Sequence, residues 1–289
     1  MNVRPYIPLL TALCLSLAAV AQDTPAPAAP PAVDAKALTV EQIVSKANQV
    51  AYYQGRDGRA QVQMEIVDAQ GRKREREMTI LRLDMPKPGA AADAPNDEDH
   101  CGEQRFYVRF KHPADVDKTT FLVWKKPGED DDRWLYLPAL DLVKRVSSAD
   151  KRSSFVGSNF CYEDVSGRHV AADTHTLVET SANYYVVEAK PKDPAAVEFA
   201  SFRMWIHRTS FVVVKVEYHD DKDAVYRTYE ALGVETIQGH PTVTKARLKD
   251  LRTKGETTVV YKDVAYDVGL PAEIFTERYL RQAPRSHMK

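Results

Sequence analysis

The chain has 289 residues, with 40 lysines and arginines against 41 aspartates and glutamates, so its formal net charge is −1. A nearly neutral chain has no overall basic field to attract nucleic acid, and we expect no nucleic-acid partner. One all-β domain commonly reaches about 200 to 250 residues. We therefore expect a single domain over residues 37–289.

Residues 1–21 have the layout of a secretory signal peptide. Arg4 precedes an apolar run over residues 9–20, and Ala19-Val20-Ala21 supplies the small residues of a cleavage site. The run is too short to span a bilayer. We expect cleavage after Ala21 and export from the cytoplasm. Residues 22–36 are rich in alanine and proline, which predicts an extended tether.

Two cysteines, Cys101 and Cys161, remain after the leader is removed. An exported protein meets an oxidising compartment, in which such a pair can form a disulfide. An unstrained bridge over this separation would stabilise the fold by about 3 to 5 kcal/mol. Two free thiols are the alternative.

The first predicted element is a helix that begins after Thr39. Thr39 and Gln42 have the spacing of a capping box, and Leu38 with Ile43 that of a hydrophobic staple. Apolar residues then recur at helical spacing as far as Gly55, so this helix must lie on an apolar surface. Its apolar stripe consists of Ile43, Val44, Ala47, Val50 and Ala51.

From residue 60 to residue 266 the hydrophobic period is two, which is typical of β-strands. Short turns separate the segments, apart from an acidic loop at residues 86–99. Consecutive strands without helices favour an antiparallel meander, and a long sheet has to curl. A short second helix is predicted at residues 271–280. We therefore predict a mainly β (α+β) fold: a strongly curved, incompletely closed antiparallel β-barrel of about ten or eleven strands, with helices covering the concave face.

Several strands are apolar on both faces, although an antiparallel sheet with one wet face should alternate. Helix packing explains this on one side. An apolar ligand held in a cavity is the other explanation, because barrels of this size can enclose one. The candidate cavity residues are the large apolar side chains of these strands and of the turn at residues 153–160: Phe106, Val108, Phe110, Phe121, Val123, Trp124, Trp134, Tyr136, Leu140, Phe155, Phe160, Met204 and Ile206.

Residues 131–164 join the most apolar run to a basic segment and a turn of small residues. Cationic side chains and loop amides of this kind suit an anionic head group at the rim of a cavity. A solvated surface loop is the alternative. An apolar cavity with a cationic rim would suit an acyl lipid. The rim candidates are Arg145, Lys151, Arg152, Ser153 and Ser154.

Catalytic and cofactor motifs are missing from the sequence. It contains no Gly-x-Ser-x-Gly elbow, no His-Glu-x-x-His, no phosphate loop and no dinucleotide fingerprint. His100 and Cys101 are neighbours, but a plain loop explains them better than a metal site. We expect no enzyme activity, no cofactor and no metal. A hydrolase that uses Ser153 or Ser154 would need a histidine brought from elsewhere in the chain.

Two segments carry a family resemblance. Residues 107–164, with WLYLPAL at 134–140 and RSSFVGS at 152–158, and the segment DVGLPAEIFTERYLR at 267–281 are similar to the periplasmic outer-membrane lipoprotein-sorting family. These are Lol-type carriers, of the branch found alongside resistance-nodulation-division export pumps. The resemblance implies an incompletely closed barrel with helices in its concave face, and carriage of a lipid or lipid-modified protein across the periplasm.

Three functions therefore remain to be compared. The first is a soluble periplasmic carrier that binds acyl chains and passes them between membranes, or to and from a membrane transporter, with transient membrane contact. The second is an adaptor subunit of an export pump, with a barrel filled by its own side chains. The third is the hydrolase.

Overall fold

One antiparallel sheet dominates the computed structural model, which describes residues 38–86 and 102–289. The predicted mainly β, incompletely closed antiparallel fold is confirmed. In the described residues the sheet has thirteen strands, not ten or eleven, and the short edge strand β6 was not among those predicted. The strands are β1 (Asp57–Val67), β2 (Lys73–Asp84), β3 (Gln104–His112), β4 (Thr120–Lys125), β5 (Asp132–Leu137), β6 (Leu142–Arg145), β7 (Asp173–Thr180), β8 (Tyr184–Pro191), β9 (Ser201–His207), β10 (Val213–His219), β11 (Val225–Ile237), β12 (His240–Asp250) and β13 (Gly255–Tyr266).

The first and last strands in sequence lie next to each other near the middle of the sheet. The strand order runs β6-β5-β4-β3-β2-β1-β13-β12-β11-β10-β9-β8-β7. The first and last strands pair with each other, with Val62 opposite Tyr261. The two edges are therefore β6 and β7, which follow one another in sequence. The chain has to pass from one edge of the sheet to the other between them.

Residues 146–172, which we call the crossing segment, make this passage. They contain a 3-10 turn (Ser148–Asp150), helix α2 (Tyr162–Ser166) and a second 3-10 turn (Val170–Ala172). Phe155 is 2% exposed and packs in one cluster with side chains of β1 to β5, β12 and β13. Its ring centroid lies 5.7 Å from that of Phe110 and 5.5 Å from that of Phe121. We call the face of the sheet that the segment crosses the inner face.

Helix α1 (Val40–Tyr52) covers another part of the inner face. Both hydrogen bonds of the predicted capping box between Thr39 and Gln42 are present. The buried residues of its stripe pack on β8 and β9, where Val187 and Ile206 are completely buried. They are Ile43, Val44 and Ala47.

The C-terminal segment, residues 270–288, covers the opposite, outer face of β2 to β5. Its apolar side chains form one buried cluster with Leu81, Tyr107, Leu122 and Trp134, which alternate along their strands with inner-face residues. The predicted helix at residues 271–280 is wrong on two counts. Only a 3-10 turn (Ala272–Ile274) and a short α3 (Arg278–Arg281) form, and they do not lie on the concave face.

Hydrogen bonds fix this segment where it leaves the sheet and along its length. The buried Asp57 carboxylate accepts bonds from the N–H groups of residues 268–270, at 2.7, 3.0 and 2.9 Å. Farther along, the Trp124 indole donates to the Phe275 carbonyl at 2.7 Å, and the Tyr107 hydroxyl donates to the Tyr279 carbonyl at 2.9 Å. Strands β2 to β5 are therefore covered on both faces, which explains their double apolarity without a ligand.

Candidate functional site

A cavity of about 440 Å³ lies between α1, the crossing segment and the inner face of the sheet. Its lining comes from most of the strands, so the sheet must curve around it. Most lining residues are aliphatic or aromatic. The aliphatic ones include Val44, Ala47, Val62, Met64, Ile80, Met204, Val213, Val216, Val243, Leu248 and Val259.

The inward orientation of these side chains follows from the register of the sheet. Directly opposed residues of an antiparallel pair lie on the same face. Val62 is opposite Met78, and Met64 is opposite Val259. Farther round the sheet, Val216 is opposite Met204. The alternate residues of β10 and β12, such as Lys215 and Arg247, point outward and take part in ion pairs.

Charged side chains border the cavity where the crossing segment meets the sheet. The Arg152 guanidinium lies 2.6 Å from Glu198 and 3.2 Å from Glu163, and 3.8 Å from Asp164. Arg227 of β11 donates to the same Asp164 carboxylate. Burial acts to raise the pKa of Asp164, but the guanidinium groups of Arg227 and Arg152 outweigh it and hold that pKa below its usual value. Asp164 is therefore an anion that joins the crossing segment to the sheet.

Two further contacts anchor the crossing segment at its β7 end. Arg168 forms a two-nitrogen contact with Asp173, with its Nε 2.9 Å from Oδ2, and approaches Glu163 to 3.4 Å. His169 Nε2 lies 2.8 Å from the buried Asp131 carboxylate in the connection before β5. These contacts hold both ends of α2, so the crossing segment is a fixed part of the fold.

The cavity contains some of the predicted apolar residues. Phe106, Phe155, Phe160 and Met204 line it. A second group lies on the inner face but packs inside the protein, away from the lining. That group is Val108, Phe110, Phe121, Val123 and Ile206.

Four predicted cavity residues lie elsewhere. Trp124, Trp134 and Tyr136 pack on the outer face against the C-terminal segment, with a distance of 5.3 Å between the two indole centroids. Leu140 is 70% exposed in the turn between β5 and β6. Within the apolar run at residues 134–140, Trp134 and Tyr136 therefore lie on the outer side of the sheet, with Trp134 opposite Arg145 and Leu122, whereas Leu135 packs in the inner-face cluster.

The predicted rim residues are engaged with protein partners. Arg145 pairs with Asp132, and Lys151 lies 3.6 Å from Glu163. Arg152 is compensated by the carboxylates described above. The Ser153 and Ser154 hydroxyls donate to the Asp150 and Ser158 carbonyls, both at 2.7 Å. Of these residues only Arg152 borders the cavity, and binding of a head group by this set stays a prediction.

The lining that β10 to β13 and α1 contribute to the cavity was not predicted from the sequence. The period-two pattern of these strands is visible in the sequence. Alternation alone could have grouped Val216, Tyr218, Tyr229 and Tyr261 on one face. The pattern does not say which face is covered. That choice depends on the pairing of β1 with β13, which joins residues about 200 positions apart in sequence.

Cys161 is a buried free cysteine in the structure, and Cys101 lies outside the described residues. Burial raises the pKa of the Cys161 thiol well above its usual range, so the thiol is protonated. The disulfide between the two cysteines stays a prediction. The signal peptide, the tether and most of the acidic loop at residues 86–99 also lie outside the described residues.

Among the described residues we find no helix with the length and apolar character that a membrane span requires. A family model described as "Uncharacterized protein" matches residues 102–282, which is more than half of the chain. No curated protein shows significant similarity to this chain.

Solved structures share the fold over most of the chain. A DUF1329 family protein from Desulfovibrio piger has a TM-score of 0.72 and 26% identity, covering 83% of this chain and 97% of that one. A protein domain from Vibrio parahaemolyticus, described as outer membrane lipoprotein-sorting, has a TM-score of 0.71 and 24% identity, covering 83% and 97%. A LolA superfamily protein from Nitrosomonas europaea has a TM-score of 0.62 and 18% identity, covering 84% and 100%.

Proposed function

We propose that this chain, which belongs to the family whose model matches residues 102–282 and shares its fold with proteins described as lipoprotein-sorting and LolA superfamily members, is a periplasmic carrier. Its cargo is a lipid or the acyl part of a lipid-modified protein. It takes this cargo from one membrane, or from an export pump, and releases it at another membrane. The carrier performs no chemistry on the cargo.

The apolar cavity is the observation that carries this proposal. Its volume of about 440 Å³ falls within the range of about 300 to 1,000 Å³ that is usual for small-molecule sites. A water-filled cavity lined by valine, leucine and methionine is unfavourable, since burying apolar surface contributes about 25 cal/mol per Å². An acyl chain would take up this surface without needing hydrogen bonds.

The same cavity favours the carrier over an adaptor with a filled barrel, because side chains from α1 and from opposite halves of the sheet leave space between them. The hydrolase has less support. Both candidate serine hydroxyls donate to backbone carbonyls of their own turn and so act as turn formers. A nucleophile would instead need a base at hydrogen-bond distance.

Cargo entry would require α1 to move away from the inner face. The helix contacts the sheet through a short apolar stripe, and the strands beneath it, β8 and β9, belong to the half of the sheet that ends at edge β7. The crossing segment is held by ion pairs and buried aromatic contacts, so it is the fixed wall. Cargo binding would replace helix–sheet contacts with lipid–sheet contacts of similar area. The free energies of the empty and loaded carrier would then be similar, so both uptake and release would be possible.

Lipid uptake can be tested with protein purified without detergent. Native mass spectrometry should find bound lipid, and a fluorescent acyl probe should bind to delipidated protein. Val243→Trp fills the cavity and should reduce probe binding strongly. Val260→Trp is the matched control, because residue 260 lies on the outer side of β13, directly between the inward-facing Val259 and Tyr261. The proposal would be contradicted if delipidated, folded protein did not bind the probe. It would also be contradicted if the two variants bound the probe equally well.

A further inference from the structure

The edge strand β7 has no partner strand on one of its two sides among the described residues. Its residues 174–178 have the sequence THTLV, which contains no lysine, arginine, aspartate, glutamate or proline. Threonine and valine favour strands. The free N–H and C=O groups of an edge can bind a further strand, and charged residues or prolines are the usual means of preventing this. The edge at β7 is therefore open to pairing.

The other edge of the sheet is protected. Strand β6 has only four residues, and two of them are Lys144 and Arg145. On β7, by contrast, Leu177 is 38% exposed and Val178 is 51% exposed. The register of β7 shifts between Leu177 and Glu179, and this bulge limits a further strand to the residues before Glu179.

The hydrogen bonds between β7 and β8 show which backbone groups of the edge are free. The Lys192 N–H donates to the Ala172 carbonyl at 3.0 Å, in the register of the β7–β8 pairs. Along an antiparallel pair, hydrogen-bonded residues alternate with residues whose N–H and C=O groups point away. Every second residue from Ala172 onward therefore bonds to β8, whereas His175 and Leu177 direct their N–H and C=O groups to the free side.

This edge is complementary to itself. An antiparallel second copy of β7 fits when Thr176 lies opposite the partner's Thr176. His175 then lies opposite the partner's Leu177, and this pair can exchange two backbone hydrogen bonds because both residues have free groups. The two-fold axis at Thr176 produces the same pair a second time. Thr174 lies opposite the partner's Val178 in this register.

The side chains also match across this pairing. Opposed threonines are a favourable cross-strand pair. The exposed Leu177 side chain would be covered by the partner's His175. Farther along, Asp173 would come opposite the partner's Glu179, but Asp173 is already paired with Arg168 at 2.9 Å. A strand that is complementary to itself favours a second copy of this chain over an unrelated peptide.

We propose that this protein forms a two-fold symmetric dimer in solution, in which the β7 edges of two copies pair antiparallel with Thr176 at the axis. The pairing joins the two sheets on the side where α1 packs on β8 and β9. One short strand is a small contact beside the roughly 800 Å² per partner of a stable interface, so the dimer should dissociate on dilution. The inference does not depend on the carrier function.

Sedimentation velocity of the exported protein over a concentration series tests the dimer. The wild type should shift from monomer to dimer as the concentration rises. Thr176→Lys places two ammonium groups opposite each other at the axis and should raise the dissociation constant about tenfold or more. Thr228→Lys is the matched control, because Thr228 is an outward-facing threonine of β11, a strand that is paired on both sides. This control should dimerise as the wild type does.

Charge complementation separates repulsion at the axis from a loss of folding. Thr176→Glu should weaken the dimer in the same way as Thr176→Lys. An equimolar mixture of the two variants should form mixed dimers, which native mass spectrometry detects, because opposite charges then face each other. Two misfolded variants would not restore each other.

A cysteine at the axis tests the register. Opposed residues that are not hydrogen-bonded to each other have Cα atoms about 4.5 Å apart, which is within the range of a disulfide. Thr176→Cys should therefore form a disulfide-linked dimer on mild oxidation. Thr174→Cys should not, since its two copies would lie roughly 13 Å apart along the strand direction.

Three results would overturn the inference. The first is a wild type that stays monomeric up to about 1 mM. The second is equal dimerisation of the wild type and Thr176→Lys, and the third is equal cross-linking of the two cysteine variants.

Discussion

Replacing Asp164 with asparagine should destabilise the fold more than any exposed ion-pair change, because it breaks the junction between the crossing segment and the sheet. Asparagine keeps the shape of the side chain but removes its charge. The Arg227 side chain is only 5% exposed and would lose its carboxylate partner, while Arg152 would keep Glu163 and Glu198. Removing one partner of a buried pair costs about 3 to 5 kcal/mol, since the other charge stays buried and unpaired.

The measurement is the free energy of unfolding in urea, followed by tryptophan fluorescence. Glu65→Gln is the control, because the pair that Glu65 forms with Lys73 is exposed, at 40% and 63%, and should contribute less than about 1 kcal/mol. Adding Arg227→Met to Asp164→Asn should recover part of the loss, since no unpaired charge is left. A loss below about 1 kcal/mol for Asp164→Asn, or strict additivity in the double variant, would refute this account of the junction.

The same carboxylate predicts a pH dependence with a definite sign. Its pKa is lower in the folded than in the unfolded protein, so its stabilising contribution is present above the unfolded-state pKa and is lost as the pH falls through the folded-state value. The pH range in which this contribution is lost therefore lies below about pH 4. The wild type should lose stability in this window more steeply than Asp164→Asn, and parallel pH profiles would contradict the prediction.

Three further changes test other parts of the structure. Trp134→Ala should cost about 3 to 5 kcal/mol and make residues 270–288 more sensitive to limited proteolysis, because this indole packs under the C-terminal segment; unchanged cleavage would contradict the outer-face assignment. Phe155→Ala should cost a similar amount in urea unfolding and Phe155→Leu less than about 1.5 kcal/mol, whereas equal losses would argue against tight aromatic packing of the crossing segment. Burial lowers the pKa of His175, so the wild type should lose stability as the pH falls from about 6.5 towards 4, and His175→Leu should lose less over the same range.

Local signals in the sequence predicted local structure well. The capping box at Thr39 and Gln42 starts α1 at the expected residue. Period-two alternation located strands such as β1, and continuous apolar runs located strands such as β4, which is covered on both faces. Only β6 had no such pattern: it is a four-residue edge strand with mostly exposed side chains, so nothing buried marks it.

Long-range structure could not be predicted in the same way. The C-terminal segment has no regular period, since only short turns and α3 form within it, and its apolar residues are fixed by contacts with strands more than 100 residues earlier. Trp134 and Trp124 were therefore assigned to the cavity although they face away from it. The crossing segment was recognised as unusual, but its role as the passage between the two edges depends on a strand order that no local pattern contains.

The energetics of α1 connect the fold to the proposed transport. Its completely buried anchor is Ile43, supported by Val44 at 4% exposure. Each such side chain contributes about 1.5 to 3 kcal/mol when buried, so lifting the helix from β8 and β9 costs roughly 3 to 6 kcal/mol. A buried methylene group contributes about 0.8 kcal/mol, and roughly four to eight methylenes would offset that cost. One acyl chain of an ordinary membrane lipid contains more methylenes than this, so the carrier would hold its cargo in water, and it would release the cargo to a membrane because the membrane buries the same methylenes.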